Sequence, residues 1–303
     1  MSAANAYLAI VNPAAGGGRS RKLLGPALER LRLAGLQIKV AETSAPGDAT
    51  RLAREAYARG EKNFVAVGGD GTSYEVVNGI FSLAGPNHGP ATLGFLPLGT
   101  GNSFLRDFSD RGVEHAIESL VAGRTQPSDV LRLRHSGGII HYLNLMSVGF
   151  TADVAALRAR RFSAQGEFGY FVSIFIALAR LRRRPFPVRI DDQKEFDRRR
   201  CLFLTFNNSK FTGGTMLIAP HAEVNSGCIE YVRWGPIGRA GLVRNLPRLY
   251  DGTHVTHPLA ERRAVRRVEF DLDSPVDVMI DGEVLSLHCQ ELDVLPGALN
   301  VVA

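Results

Sequence analysis

The chain has 303 residues, 45% of them hydrophobic and 22% charged, the balance of a soluble globular protein with room for two domains. A net charge of +6 favours anionic partners, whether nucleotide, phospholipid surface or nucleic acid. Cys201, Cys228 and Cys289 stand far apart with no C-x-x-C, which argues against a disulfide framework or a zinc site and fits a reducing compartment.

In chain order, the first part alternates strand and helix. The opening MSAANAYLAIVNP has no basic segment before its apolar run, so no secretory leader is expected and a cytoplasmic location is. Tyr7 to Val11 reads as a strand that stops at Asn12-Pro13, followed by a small-residue loop, Ala14 to Gly18. Leucines at helical spacing span Arg19 to Ala34, and Leu36 to Ala41 is a second strand. An alanine-rich helix, Asp48 to Arg59, closes at Gly60. Phe64 to Val67 is the third strand, with a helix from Tyr74 to Leu83. Leu93 to Pro97 is the fourth, and Val113 to Ala122 is a helix closed by Gly123. Such alternation implies a parallel sheet covered on both faces.

The pattern changes near Asp129. Val130 to His135 and Ile139 to Asn144 read as a hairpin around Ser136-Gly137-Gly138. A helical region runs from Thr151 to Arg184. The remainder is rich in β segments: 188–190, 201–207, 228–233, 267–272, 276–280 and 291–295. An antiparallel sandwich or barrel is predicted, with the domain boundary near residues 125–132.

The stretch Val65 to Thr72 carries the most chemistry. A buried strand stops at Gly68-Gly69-Asp70-Gly71-Thr72. Glycines let the backbone approach a ligand closely, and successive exposed N–H groups in such a turn bind phosphate. An aspartate inside a phosphate cradle is costly unless a cation shares the site, so Asp70 points to a metal–nucleotide complex. The competing reading is a tight turn in which Asp70 caps the next helix. Loops that follow parallel strands emerge at the carboxyl edge of the sheet, where ligands bind. Three such loops carry glycine and small polar residues: Asn12 to Gly18, Gly68 to Thr72 and Leu98 to Asn102. No G-x-G-x-x-G opens the first helix and no G-x-x-x-x-G-K-[ST] occurs, which disfavours a dinucleotide Rossmann site and a P-loop NTPase.

Four motifs run through nearly the whole chain: N-P-A-A-G-G-G (12–18), G-G-D-G-T-S-Y-E-V-V-N-G (68–79), P-L-G-T-G-N-S-F (97–104) and I-D-G-E (280–283). On these, the chain resembles the diacylglycerol kinase catalytic-domain superfamily, which includes bacterial diacylglycerol kinases, sphingosine kinases and ceramide kinases. The resemblance implies a nucleotide-binding α/β domain over 1–128 and an antiparallel β-sandwich over 129–303. It places the active site in the cleft between them, and the last residues could pack back on the first domain. It also implies ATP and Mg²⁺ as cofactors and a lipid hydroxyl as acceptor, diacylglycerol first, with sphingoid or other glycerolipids as alternatives.

By that resemblance Asn12, Pro13, Gly16, Gly17 and Thr43 line the nucleotide. Gly68, Gly69, Asp70, Gly71, Thr72 and Glu75 cradle the phosphates, and Gly99, Thr100, Gly101 and Asn102 face the same pocket. Asp70 acts through Mg²⁺ on the β- and γ-phosphates. Asp281 is the base that takes the hydroxyl proton, and Glu283 supports it or binds metal through water. Asp129 matches an acidic position near the active site. Plainer readings stay open. Thr43 and Asn12 suit turns, Asp129 suits a linker cap, and Asp281-Gly282-Glu283 suits a hairpin turn with solvated acids.

Three departures stand out. Tyr74 replaces a usual asparagine, and Ser103 replaces a usual aspartate. Ser226, in A-P-H-A-E-V-N-S-G (219–227), replaces an aspartate that binds a structural Mg²⁺ in bacterial members. Serine is a poor ligand for a hard cation, so that site is expected to be lost or weak.

Phe168 to Leu181, the longest apolar stretch, is short of the ~20 residues that span a bilayer. An aromatic-rich helix here, ending in Arg180 and Arg182 to Arg184, can lie on an anionic phospholipid surface as a peripheral anchor. The same pattern fits a core helix with a solvated end. A homodimer through an exposed edge strand is a further expectation. The competing functions are an NAD kinase-like enzyme, which shares G-G-D-G, and a silent nucleotide- or lipid-binding regulator. No nucleic-acid partner is expected, because the arginines are scattered and no recognition motif accompanies them.

Overall fold

The computed structural model describes residues 6–82, 90–99, 101–161 and 166–303, with the side chains of 166–171 outside the description. The chain first lays down β1 (Ala6–Val11), α1 (Arg19–Leu33), β2 (Gln37–Glu42), α2 (Asp48–Ala58), β3 (Asn63–Val67), α3 (Asp70–Phe81), β4 (Ala91–Leu96) and α4 (Val113–Ala122). Then come β5 (Thr125–His135), β6 (Gly138–Tyr142), β7 (Leu145–Gly149), α5 (Phe150–Arg161) and α6 (Gly166–Ala179). Short strands follow: β8 (Arg184–Pro185), β9 (Val188–Ile190), β10 (Arg200–Cys201), β11 (Phe203–Asn207), β12 (Phe211–Thr212) and β13 (Met216–Leu217). The chain ends with β14 (Ile229–Trp234), α7 (Arg239–Asn245), α8 (Arg248–Asp251), β15 (Ala260–Val265), β16 (Arg267–Phe270), β17 (Val276–Ile280), β18 (Glu283–Leu287) and β19 (Cys289–Val302).

Two units result. The first takes in the chain up to Val130, His141–Leu143 and Pro296–Ala303. Its strands lie in the order β2-β1-β3-β4, with Leu299–Val301 of β19 beside Ala91–Leu93 of β4, and every pair is parallel. The central strands β3 and β4 are buried almost throughout, as parallel strands covered on both faces must be. The chain goes from β1 outward to β2, then returns to β3 and continues to β4 on the other side. Loops leaving β1 and β3 therefore diverge, and a crevice opens at their carboxyl ends.

The second unit holds Leu131–Ile140 and Asn144–Leu295. A six-stranded antiparallel sheet runs in the order β15-β14-β11-β7-β17-β18. β9, β16 and the first half of β19 form an antiparallel layer, and Phe270 of β16 meets Phe206 of β11 ring to ring at 5.4 Å. The other face of the large sheet buries Leu145, Phe203, Val232, Trp234 and Met279 against residues of α5, α6, α7 and α8. Among the described residues, no helix is long and apolar enough to cross a membrane.

Candidate functional site

At the carboxyl edge of the first unit's sheet, the three glycine loops interlock. The amide of Asn12 donates to the Val67 carbonyl at 3.0 Å, and that of Gly99 to the Gly68 carbonyl at 2.9 Å. A Cβ on Gly16 would stand 3.1 Å from the Leu98 carbonyl oxygen, one on Gly69 2.9 Å from that of Gly101, and one on Gly99 2.8 Å from the Gly69 amide. Backbone against backbone leaves no room for side chains, which is why glycine occupies these positions. Gly16, Gly17 and Gly18 all have left-handed φ (63°, 66°, 89°), and a Cβ on Gly17 or Gly18 would meet nothing within 4 Å. Their outer side is thus an open backbone surface at the start of α1, a form that accepts phosphate oxygens.

Asp70 is the first residue of α3, so Gly71 and Thr72 belong to a helix N-terminus rather than a free loop. Its carboxylate does not cap that helix. Both oxygens accept the Ser103 amide at 3.1 Å, with further donation from the Ser103 hydroxyl and the Phe104 amide. The Asp70 amide in turn donates to the Gly101 carbonyl at 2.9 Å, tying the second loop to the third. A hollow of about 10 Å³ adjoins it, lined in part by Phe95, Asn102 and Phe104, roughly the space of one water. Burial pushes the Asp70 carboxyl up to about 6, against the hydrogen bonds from Ser103 and Phe104. Ser103 donates where an aspartate would set a second negative charge against Asp70.

The remaining expected residues divide. Thr43 follows β2 at the same edge, its amide donating to the Val11 carbonyl at 2.9 Å. The Asn12 side chain accepts the Ala14 amide at 3.0 Å, the turn-forming role. The two oxygens of Glu75 accept the amides of Gly47 and Ala49 at 3.0 Å, fastening α3 to the start of α2. A carboxylate so used stabilises the helix N-terminus and would repel a phosphate. Thr72 is likewise turned inward, buried against Gly68. Thr100 lies outside the described residues. Asn78, to which the sequence reading gave no role, pins His141: it donates to that residue's carbonyl and accepts its amide, both at 2.9 Å. The signal for it was its place in the second motif.

In the second unit, Asp281 and Gly282 form a two-residue turn between β17 and β18, with φ of 46° and 90°. Both values are left-handed, as a type I′ hairpin requires. Asp281 is buried, and its Oδ1 accepts the amides of Asn144 and Leu145 at 3.0 Å. The carboxylate is therefore held inward at the start of β7 rather than solvated as an ordinary turn acid. Glu283, two residues on, is exposed. Ser226 exchanges hydrogen bonds with the backbone of Cys228. Asp129, in the first unit, is buried and accepts the Gly297 amide at 2.8 Å, which anchors the returning end of β19.

Comparison with known proteins covers both units. Residues 6–133 match the diacylglycerol kinase catalytic domain, and residues 144–303 match the YegS C-terminal NAD kinase beta sandwich-like domain. A diacylglycerol kinase of Mycobacterium tuberculosis is 28% identical over 298 residues, covering 97% of this chain and 94% of its own. One from Bacillus subtilis is 28% identical over 279 residues, with 90% and 88% covered. The crystal structure of a diacylglycerol kinase from Bacillus anthracis, 19% identical, aligns with a TM-score of 0.71 over 98% of this chain and 96% of that one. The structural likeness establishes the common fold.

Proposed function

The chain belongs to the lipid kinase family that joins a diacylglycerol kinase catalytic domain to a YegS-type C-terminal sandwich, and from that premise we propose that it transfers the γ-phosphate of ATP to a lipid hydroxyl, with diacylglycerol as the acceptor. The observation that carries this reading is the interlocked glycine loops at the strand-order reversal, with an open left-handed glycine run and one buried carboxylate, Asp70. The full-length relatives, each a diacylglycerol kinase by name, support the acceptor.

The Gly16–Gly18 backbone and the N-terminus of α3 receive the phosphates. A buried carboxylate gains from a neighbouring divalent cation, and its hard oxygens suit magnesium, so the donor set fits that ion. Asp70 is the residue that would hold Mg²⁺, and the ion, when bound, would supply neutralisation of phosphate charge. Asp281 accepts the proton of the acceptor hydroxyl as the new P–O bond forms, and the Asn144 and Leu145 amides keep its carboxylate oriented. Glu75 and Asn78 position the elements around the nucleotide and touch no phosphate. No metal is assigned to Ser226.

The test is transfer from γ-labelled ATP with Mg²⁺ to a panel of diacylglycerol, sphingosine, ceramide and NAD. Label in phosphatidic acid is the expected result. Label in NADP, or ATP binding with no transfer to any lipid, would overturn the reading.

A further inference from the structure

We infer that the exposed end of α6 together with α7 is the surface by which the second unit docks on an anionic bilayer, with Phe175 entering the interface. The inference rests on the lipid-acceptor reading above, since such an acceptor resides in a membrane.

Within α6, Ser173 and Ala177 lie one turn apart and are buried, and Ile174 and Leu178 pack on the core. Phe175 lies on the other side of the helix and is 68% exposed. With the opposite face of the helix buried, the Phe175 ring is a large apolar group that α6 leaves in water. α7 is fastened to the end of this helix: Arg239 donates to the carbonyls of Leu178 and Ala179 at 3.1 and 2.8 Å. Val243, one turn beyond Arg239 on α7, is 50% exposed.

Charge selects the occupant. Residues 172–184 contain four arginines and residues 236–250 three, and neither segment contains an aspartate or glutamate. Arg180, Arg182, Arg183 and Arg244 are exposed and form no ion pair among the described residues. Several other arginines of this unit are matched by carboxylates, as in Arg132–Asp293, Arg199–Glu261 and Arg262–Glu230, and Arg184 pairs with Asp153. Exposed apolar side chains and unmatched arginines on the same two helices and the segment that follows α6 are the chemistry of a surface that lies in an anionic lipid interface. A second copy of this chain would bring the same positive charge to the contact, which disfavours self-association there.

The experiment is sedimentation of the intact protein with phosphatidylcholine vesicles, with and without phosphatidylglycerol, in the absence of ATP. The wild type is expected to bind only the anionic vesicles and to release in high salt. The variants Phe175→Ser with Val243→Ser, and Arg182→Glu with Arg183→Glu, should each lower partitioning roughly tenfold or more. Their melting temperatures and their transfer to detergent-dispersed diacylglycerol should match the wild type. Equal binding to neutral vesicles, or variants that bind like the wild type, would overturn the inference. So would a dimer in light scattering that Phe175→Ser abolishes. Loss of vesicle binding with detergent-phase activity kept separates this surface from the kinase reading. Vesicle binding with no lipid phosphorylated would leave the surface standing and remove that reading.

Discussion

Asp70 bears two opposed demands. Burial favours its protonated form and pushes it up to about 6 from an ordinary 3.8, while the Ser103 and Phe104 amides favour the carboxylate. A raised acid pKa means that the folded chain holds the proton more tightly than the unfolded one. The group therefore favours folding most at pH below its unfolded value, and that contribution is lost as pH rises from about 4 to about 6. Asp70→Asn keeps an acceptor for the Ser103 amide and removes the charge. Without nucleotide, this variant should be at least as stable as the wild type at pH 7.5, by up to ~3 kcal/mol, with the gap closing near pH 4. Thermal melts at the two pH values decide it, and a clear loss of stability at pH 7.5 would contradict the assignment. The glycines around Asp70 made a tight strand-to-helix turn legible in the sequence. Its partner Ser103 was not legible, because the pairing of β3 with β4 brings the two loops together. The partners of Glu75 were hidden for the same reason: Gly47 and Ala49 come from the start of α2.

Helix α3 packs on α2 through Gly79, where a Cβ would stand 2.6 Å from that of Ala53 and press on the Thr50 carbonyl. In an open helix, Gly→Ala gains up to ~1 kcal/mol, but overpacking of this kind costs ~1–3 kcal/mol or more. Gly79→Ala should therefore lower stability by ~1–2 kcal/mol at unchanged urea m-value, and a neutral or stabilising result would contradict the close packing. Periodicity located most elements of the first unit, since its strands are short apolar runs between amphipathic helices. It set the start of α3 at Tyr74, four residues late, because Gly69 and Gly71 hide the first turn. It missed β7, whose five residues are all buried and so show no alternation. The apolar stretch after Thr151 read as one helical region, whereas α5 and α6 are separate helices and Arg184 enters a short strand.

At the scale of the whole chain, the change from strand–helix alternation to β-rich segments near Asp129 made the α/β plus all-β class legible, and the four motifs made the lipid kinase family legible. The inward hold on Asp281 was not, because Asp-Gly reads equally well as a solvated turn until the amides of Asn144 and Leu145 are seen to close on its carboxylate. That hold makes Asp281→Asn a clean probe. Asn-Gly suits a type I′ turn at least as well as Asp-Gly, and the new amide oxygen can still accept both backbone donors. The substitution removes the negative charge and with it the proposed proton acceptor. The most direct measurement compares phosphate transfer to diacylglycerol by the wild type and Asp281→Asn at saturating ATP and Mg²⁺. The predicted result is a fall in rate of ~100-fold or more with melting temperature and ATP affinity unchanged. A variant that transfers phosphate at the wild-type rate would contradict the account.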